Sequence, residues 1–329
     1  MGGDVATADQ LRALVKSHAE GDDRLFYSVA LQVAARAARG GQNRFATELR
    51  DLVESLRTQQ PGPLRPPTPL AVPRGELAGL LSASYPTTKL ADLVLEPSVR
   101  HRLDLVVLEQ RQQAALREQG FEPMRRLLLV GPPGTGKTMT ASALASELRL
   151  PLLVIRLDGL ITKYLGETAA KLRLIFDAMT ETRGLYLFDE VDALAGERSR
   201  AHDVGEIRRV LNSFLQFLEQ DPSDSLLVAA TNHPQLLDEA MFRRFDAVIE
   251  YPLPDATVIE GLVRSRLTLL GTNGVDWLAV GPEASGLSHA EITLAAERAA
   301  KDAILGGQTA VSTGALVSAL KERRSARRG

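Results

Sequence analysis

Gly131-Pro132-Pro133-Gly134-Thr135-Gly136-Lys137-Thr138 fits the phosphate-loop pattern G-x-x-x-x-G-K-[ST] at every fixed position. Its glycines let the backbone turn tightly, so that successive N–H groups point inward as an anion nest. The helix that follows adds the positive end of its dipole. Lys137 is then in reach of β- and γ-phosphates, and the Thr138 hydroxyl can ligate Mg²⁺. The flanks agree. Leu127-Leu128-Leu129-Val130 reads as a buried strand, and 141–148 is rich in Ala and Leu and helix-forming. An ordinary glycine-rich turn would not need a strand before it and a helix after it.

Apolar runs at 127–130, 152–155, 185–188, 226–230 and 247–251 alternate with helical stretches. That alternation predicts an α/β domain over 76–252, a phosphate-loop parallel sheet flanked by helices. From 253 to 329 only helical patterns remain, clearest at 257–269, 288–304 and 313–323, so a helical subdomain follows the α/β core. The 185–188 run ends in Asp189-Glu190. Carboxylates at strand ends of an open α/β sheet lie where ligands bind. Behind a phosphate loop, Asp189 suits the Mg²⁺ shell and Glu190 the polarisation of an attacking water. The 226–230 run leads into Thr231-Asn232. Asn232 is either a group that orients the lytic water or a turn former ahead of Pro234, and the residues alone leave both readings open.

Residues 1–58 read as three helices. Leu11, Leu14 and Val15 mark the first, Phe26, Val29, Ala30, Val33 and Ala37 the second, and Phe45, Leu49, Leu52, Val53 and Leu56 the third. Each needs the other two to cover its apolar stripe, which predicts a small N-terminal bundle. Residues 59–75 hold Pro61, Pro63, Pro66, Pro67, Pro69 and Pro73, a composition that prevents helix and sheet and favours an extended tether.

The whole chain is close to neutral, with a formal net charge of -2, so no overall basic field favours nucleic acid. Having no cysteine, it forms no disulfide and no thiolate metal site. Asp4, Asp9, Arg12 and Lys16 precede any long apolar run, and no stretch approaches the ~18 apolar residues of a membrane span. The expectation is a cytoplasmic protein without membrane insertion.

Leu237-Asp238-Glu239-Ala240-Met241-Phe242-Arg243-Arg244-Phe245-Asp246 completes a set of motifs in which the chain resembles an AAA ATPase, the narrower clade of the AAA+ superfamily. The resemblance spans about residues 85–325. GPPGTGKT resembles the family's Walker A, LYLFDEVDAL its Walker B with the following Asp192, and AATN at 229–232 its sensor 1. Arg243 and Arg244 fall on the two arginine-finger positions of the second region of homology, in the adjacent spacing of spastin, katanin and Vps4-like members. Gly286-Leu287-Ser288-His289-Ala290-Glu291-Ile292 resembles the turn into the third lid helix. Ala290 stands where other AAA+ groups carry a sensor 2 arginine, and His289 replaces the usual Gly at the adenine-side contact. Lys163-Tyr164-Leu165-Gly166 resembles the first pore loop, and the polar stretch 196–209 occupies the place of a second.

The resemblance implies ATP and Mg²⁺ as cofactors. The nucleotide would be held by Gly131, Pro132, Pro133, Gly134, Thr135, Gly136, Lys137, Thr138, Met139, Asp189, Ser288 and Ala290, with Thr138 and Asp189 on the metal and Glu190, Asn232, Arg243 and Arg244 catalytic. It implies a homo-oligomer, most often a hexamer, whose arginines reach the neighbouring subunit's γ-phosphate. Tyr164 from each subunit would line a channel and grip a protein substrate through its stiff apolar ring. The four-residue pattern by itself also fits a core or loop tyrosine. A protein-remodelling motor is the leading expectation, with the N-terminal helices recruiting the target and a separate protease or adaptor as a further partner. The alternatives are a DNA-directed ATPase such as a helicase loader, for which no basic face or helix-turn-helix is evident, and a nucleotide-switched scaffold.

Overall fold

The computed structural model describes residues 23–39, 42, 46–48, 50, 51, 53, 73–160, 165–195, 204–268 and 270–326. The chain divides into two compact units, Met1–Pro67 and Thr68–Gly329. In the first unit, α1 (Asp23–Arg39) carries the expected second stripe, with Val29, Ala30, Val33 and Ala37 buried. Ala46 and Val53, on the third expected helix, are buried too. The first expected helix and positions 59–72 of the proline-rich stretch lie outside the described residues.

The second unit is built on a six-stranded sheet, ordered β1-β3-β4-β5-β2-β6. Its strands are β1 (Leu81–Ser84), β2 (Arg126–Val130), β3 (Leu152–Ile155), β4 (Leu185–Phe188), β5 (Leu226–Thr231) and β6 (Ala247–Glu250). All neighbouring pairs are parallel except β1 with β3. The five apolar runs are thus strands. The sixth, β1, was not expected: its Leu-Ser-Ala-Ser has one large apolar residue, enough for an edge strand that pairs on one side.

The uninterrupted apolar runs follow from burial on both faces. Leu128, Leu153, Tyr186, Phe188 and Leu227 face one core layer, while Leu127, Leu129, Leu185, Leu187 and Leu226 face the other. α2 (Pro97–Arg111), opened by proline at its first turn, and α3 (Lys137–Glu147) cover the second layer. α4 (Leu165–Glu181) and α5 (Val204–Gln220) cover the first. There Phe188, the last residue of β4, sits 5.0 Å from Phe214 and 6.2 Å from Phe176, ring to ring. That packing fixes the strand end from which Asp189 and Glu190 emerge.

The C-terminal helices are α6 (Ala256–Arg266), α7 (Trp277–Ala284), α8 (His289–Leu305) and α9 (Thr313–Ala326), around a separate apolar cluster. Asp255, Asp276 and Ser288 cap the first three by accepting backbone N–H groups. α7 lies inside the expected helical stretch but outside its three clearest segments, and it carries Pro282 within it. Among the described residues no helix is long and apolar enough to cross a membrane.

The end of the sheet opposite the phosphate loop is closed by ions. Asp246 accepts the backbone N–H groups of Arg125 and Arg126, each at 2.9 Å, and the Arg126 guanidinium at 2.7 Å. Burial alone would raise its carboxyl, but the Arg126 hydrogen bond and the two N–H groups hold it below its ordinary value. A depressed carboxylate contributes stability above its unfolded pKa of about 3.9, and that contribution is lost as pH falls through the folded value. Asp246→Asn should therefore lose about 1–2 kcal/mol at neutral pH and show a flatter decline on acidification. Thermal melts of both proteins from neutral to acid pH check this, and equal melting temperatures at neutral pH would remove the clamp.

Candidate active site at the carboxyl ends of the strands

The loop between β2 and α3 has a shape that side chains would spoil. A Cβ on Gly131 would stand 2.3 Å from the Tyr251 carbonyl oxygen. One on Gly134, at φ +75°, would stand 2.8 Å from the Ser288 hydroxyl oxygen. The buried Thr135 hydroxyl donates to the Pro132 carbonyl at 2.9 Å and holds the turn from within. Gly136, at φ +99°, caps α3, so Lys137, Thr138 and Met139 form its first turn. The arrangement is an open cradle at a helix N-terminus, which fits a phosphate chain.

Lys137 is 5% exposed. Its ammonium donates to the Gly131 and Pro132 carbonyls at 2.7 and 2.8 Å and to the Asn232 Oδ1 at 2.8 Å. Burial pushes its pKa below the ordinary lysine value, while Asp189, Asp192 and Glu190 pull the other way. Asn232 is therefore brought to the phosphate site, beyond any part it plays in the turn before Pro234.

Just past β4, Asp189 accepts the Thr138 hydroxyl at 2.6 Å through one oxygen and the Glu190 N–H at 3.0 Å through the other. Magnesium takes one or two protein ligands and completes its shell with phosphate and water. Thr138 and Asp189 together fit that share. Glu190 is exposed and has φ +53°, a left-handed backbone rarely adopted outside glycine. Its carbonyl accepts the Ala193 N–H at 2.8 Å, closing the turn that presents its carboxylate. Met139, 56% exposed, lies beside the cradle on the first turn of α3.

The C-terminal helices meet the loop at α8. The Ala290 N–H donates to the Gly134 carbonyl at 2.9 Å, so Ser288 and Ala290 both reach the phosphate loop. A cavity of about 280 Å³ opens here, lined by Pro132, Pro133, Gly134, Leu253, Ser288 and Glu291. His289 lies half-buried in the same turn. Neither ring nitrogen finds a partner among the described residues, and burial pushes its pKa down.

The two arginines differ. Arg243 keeps 77% of its side chain exposed and pairs with Glu239 at 3.5 Å. Arg244 is held by Glu219 at 2.7 Å and donates to the Ala240 carbonyl at 3.3 Å. Lys163 and Tyr164 lie outside the described residues; Leu165 and Gly166 begin α4. Of the 196–209 stretch, 196–203 is likewise outside them. Sequence reasoning missed Tyr251, whose carbonyl crowds Gly131 and whose hydroxyl donates to Thr140 at 2.8 Å. Nothing in its run distinguishes it from an ordinary strand-end tyrosine.

Lys137→Ala removes the cation at the centre of this cradle. Loss of a charge-assisted contact predicts about 10–100-fold weaker nucleotide binding. Calorimetry with ATP and ADP measures it, and unchanged affinity would remove the phosphate-loop assignment.

Comparison with known proteins bears on the family and the fold. The profile of the AAA family, "ATPase family associated with various cellular activities", matches residues 127–253. An uncharacterized AAA family ATPase of Sinorhizobium fredii is 35% identical over 260 residues, 78% of this chain and 77% of that one. The proteasome-activating nucleotidase of Aeropyrum pernix is 34% identical over 248 residues, which is 70% of this chain but 59% of the relative. That of Saccharolobus solfataricus is 33% identical over 239 residues, 69% of this chain and 60% of the relative. The crystal structure of the FIGL-1 AAA domain shares the fold, with a TM-score of 0.57 at 24% identity over 74% of this chain and 85% of that one. The chain belongs to the AAA family and is an ATPase.

Proposed function

We propose that the chain is a ring-forming motor, a homohexamer, that couples ATP hydrolysis to pulling on a protein substrate. The observation that carries this reading is the placement of Arg243. Its side chain is 77% exposed and sits on the segment after β5, while Lys137, Thr138, Asp189, Glu190 and Asn232 gather at the phosphate loop. The segment ends at Asp246, at the end of the sheet opposite the chain's own phosphate loop, and an exposed arginine there suits delivery to the γ-phosphate of a neighbouring copy, with Arg244 as the second finger.

In this mechanism the phosphate-loop amides and Lys137 bind the phosphates, and Thr138 and Asp189 hold the cation. Mg²⁺, when bound, supplies charge that offsets the negative charge developing on the transferred group. Glu190 accepts a proton from the attacking water, and Asn232 orients that water. The purine and ribose lie towards Met139 and the turn of Ser288 and Ala290. Kinship with nucleotidases named for activating a proteasome supports a protein substrate and a separate protease as a partner. Residues 1–58 recruit the target, the prolines of 59–75 tether it to the ATPase module of 76–329, and the protein works in the cytoplasm.

Finger action in trans has a direct test. Arg243→Ala and Arg244→Ala should each keep nucleotide affinity and lose most turnover, by about 10³-fold or more. Mixing either with Lys137→Ala should restore part of the activity, because some sites then receive an intact Lys137 and an intact arginine. Full activity of the arginine variants as monomers would overturn the ring.

Tyr164→Ala tests the protein substrate. Basal ATPase and melting temperature should stay near wild type, while unfolding of a tagged substrate is lost, since truncation removes the gripping ring. Tyr164→Phe should keep most unfolding activity. A fall of stability by about 3–5 kcal/mol, together with ATPase, would make Tyr164 a core residue and overturn the threading mechanism.

A further inference from the structure

Thr231 is the last residue of β5 and is fully buried, yet its side chain is polar. Its hydroxyl donates to Asp192 Oδ1 at 2.8 Å and accepts the His233 N–H at 3.0 Å. Its carbonyl accepts the Gly131 N–H at 3.3 Å. A single residue thus touches the phosphate loop, the two sides of Asn232 and the turn that follows Glu190. Those contacts close a ring. Lys137 donates to Asn232, Thr138 donates to Asp189, Asp189 accepts the Glu190 N–H, and Asp192 accepts Thr231.

We propose that Thr231 and Asp192 are positioning residues for ATP hydrolysis, whose hydrogen bond fixes the turn bearing Glu190 relative to Lys137 and Asn232. The inference rests on the reading of Glu190 as the base. The need for such a bond lies in the backbone: a non-glycine residue at φ +53° persists only where its surroundings over-determine it. Asp189 secures the N–H of Glu190, and the Ala193 N–H secures its carbonyl. Both bonds are local to the turn and would move with it. The Asp192–Thr231 bond is made to a different strand, and that strand is the one carrying Asn232. It sets where the whole turn sits. A buried threonine serves here because its methyl fills the space that valine would fill, while its hydroxyl both donates and accepts.

Thr231→Val keeps the shape and removes the hydroxyl; Thr231→Ser keeps the hydroxyl. The test uses the full chain and three readouts: ATP affinity by calorimetry, steady-state hydrolysis and thermal melting. A misplacement on the order of 1 Å lowers turnover by about 10²-fold. The valine variant should therefore lose about 10–100-fold in kcat, with ATP affinity within about 3-fold of wild type, since phosphate contacts are not touched. The serine variant should recover most of the turnover. Wild-type kcat in the valine variant, equal losses of affinity and turnover, or failure of serine to rescue would each overturn the proposal. Glu190→Gln is assayed alongside: normal turnover there would sink the base assignment itself, a separate failure. Should the valine variant not fold, Asp192→Ala removes the same bond from the turn side. Wild-type turnover in a folded Asp192→Ala, or collapse of both variants, would assign the pair to packing and overturn the positioning role.

Discussion

A lysine ammonium that is 5% exposed governs the architecture of the site. Burying a cation is unfavourable unless it is surrounded by acceptors. Lys137 finds three, two of them carbonyls of its own loop and the third the Asn232 side chain just past β5. The loop must curl back on the first turn of α3 to offer the carbonyls, and that curl requires glycine where Gly131 meets Tyr251 and Gly134 meets Ser288. The third acceptor requires β5 to lie beside β2, which the register Val130 to Thr231 provides. Loop conformation, strand order and lysine ionisation are therefore one constraint seen from three sides. When phosphate oxygens are present they compete for the same ammonium, so nucleotide binding is coupled to the carboxyl end of β5.

A second constraint is the rigidity of β4. Glu190 can point its carboxylate outward only from a left-handed backbone, and such a backbone needs firm neighbours. The aromatic packing of Phe188 against Phe176 and Phe214 supplies them on one side, and the hydrogen bonds of Asp189 and Asp192 on the other. The same logic orders the far end of the sheet, where Asp246 gathers the N–H groups at the start of β2. Asp246 also ends the segment that carries Arg243 and Arg244. One carboxylate thus registers the phosphate-loop strand and the arginine segment against each other.

The sheet was legible in the sequence because burial on both faces leaves an unmistakable pattern, a run of large apolar residues between helical stretches. The phosphate loop was legible because glycines that a Cβ would block cannot be exchanged for other residues. β1 was not, since Leu81-Ser82-Ala83-Ser84 pairs at an edge and owes its form to β3 rather than to its own composition. α7 was not among the clearest helical stretches, since its eight residues, with Pro282 among them, are too few to show a stripe. The two arginines, equivalent in sequence, differ in space because Glu219, far away along the chain, is brought by α5 to Arg244 alone. Tyr251 was hidden for a similar reason: its part depends on what it packs against, and a single sequence carries no record of that.

The C-terminal helices join this system through a helix terminus. The first N–H groups of a helix have no partner within it and must be satisfied from outside. In α8, Ser288 accepts the Glu291 N–H and Glu291 accepts the Ser288 N–H, a reciprocal cap that is complete in itself. The Ala290 N–H is left over, and it goes to the Gly134 carbonyl. The phosphate loop and α8 are therefore joined by a backbone hydrogen bond beside the cavity. Ala295, Ala296 and Ala299 of α8 sit in one apolar cluster with residues of α6, α7 and α9, packed at the density of a protein interior. Small side chains along α8 bring its neighbours close, so one loop carbonyl is tied through a single helix to the packed four-helix subdomain.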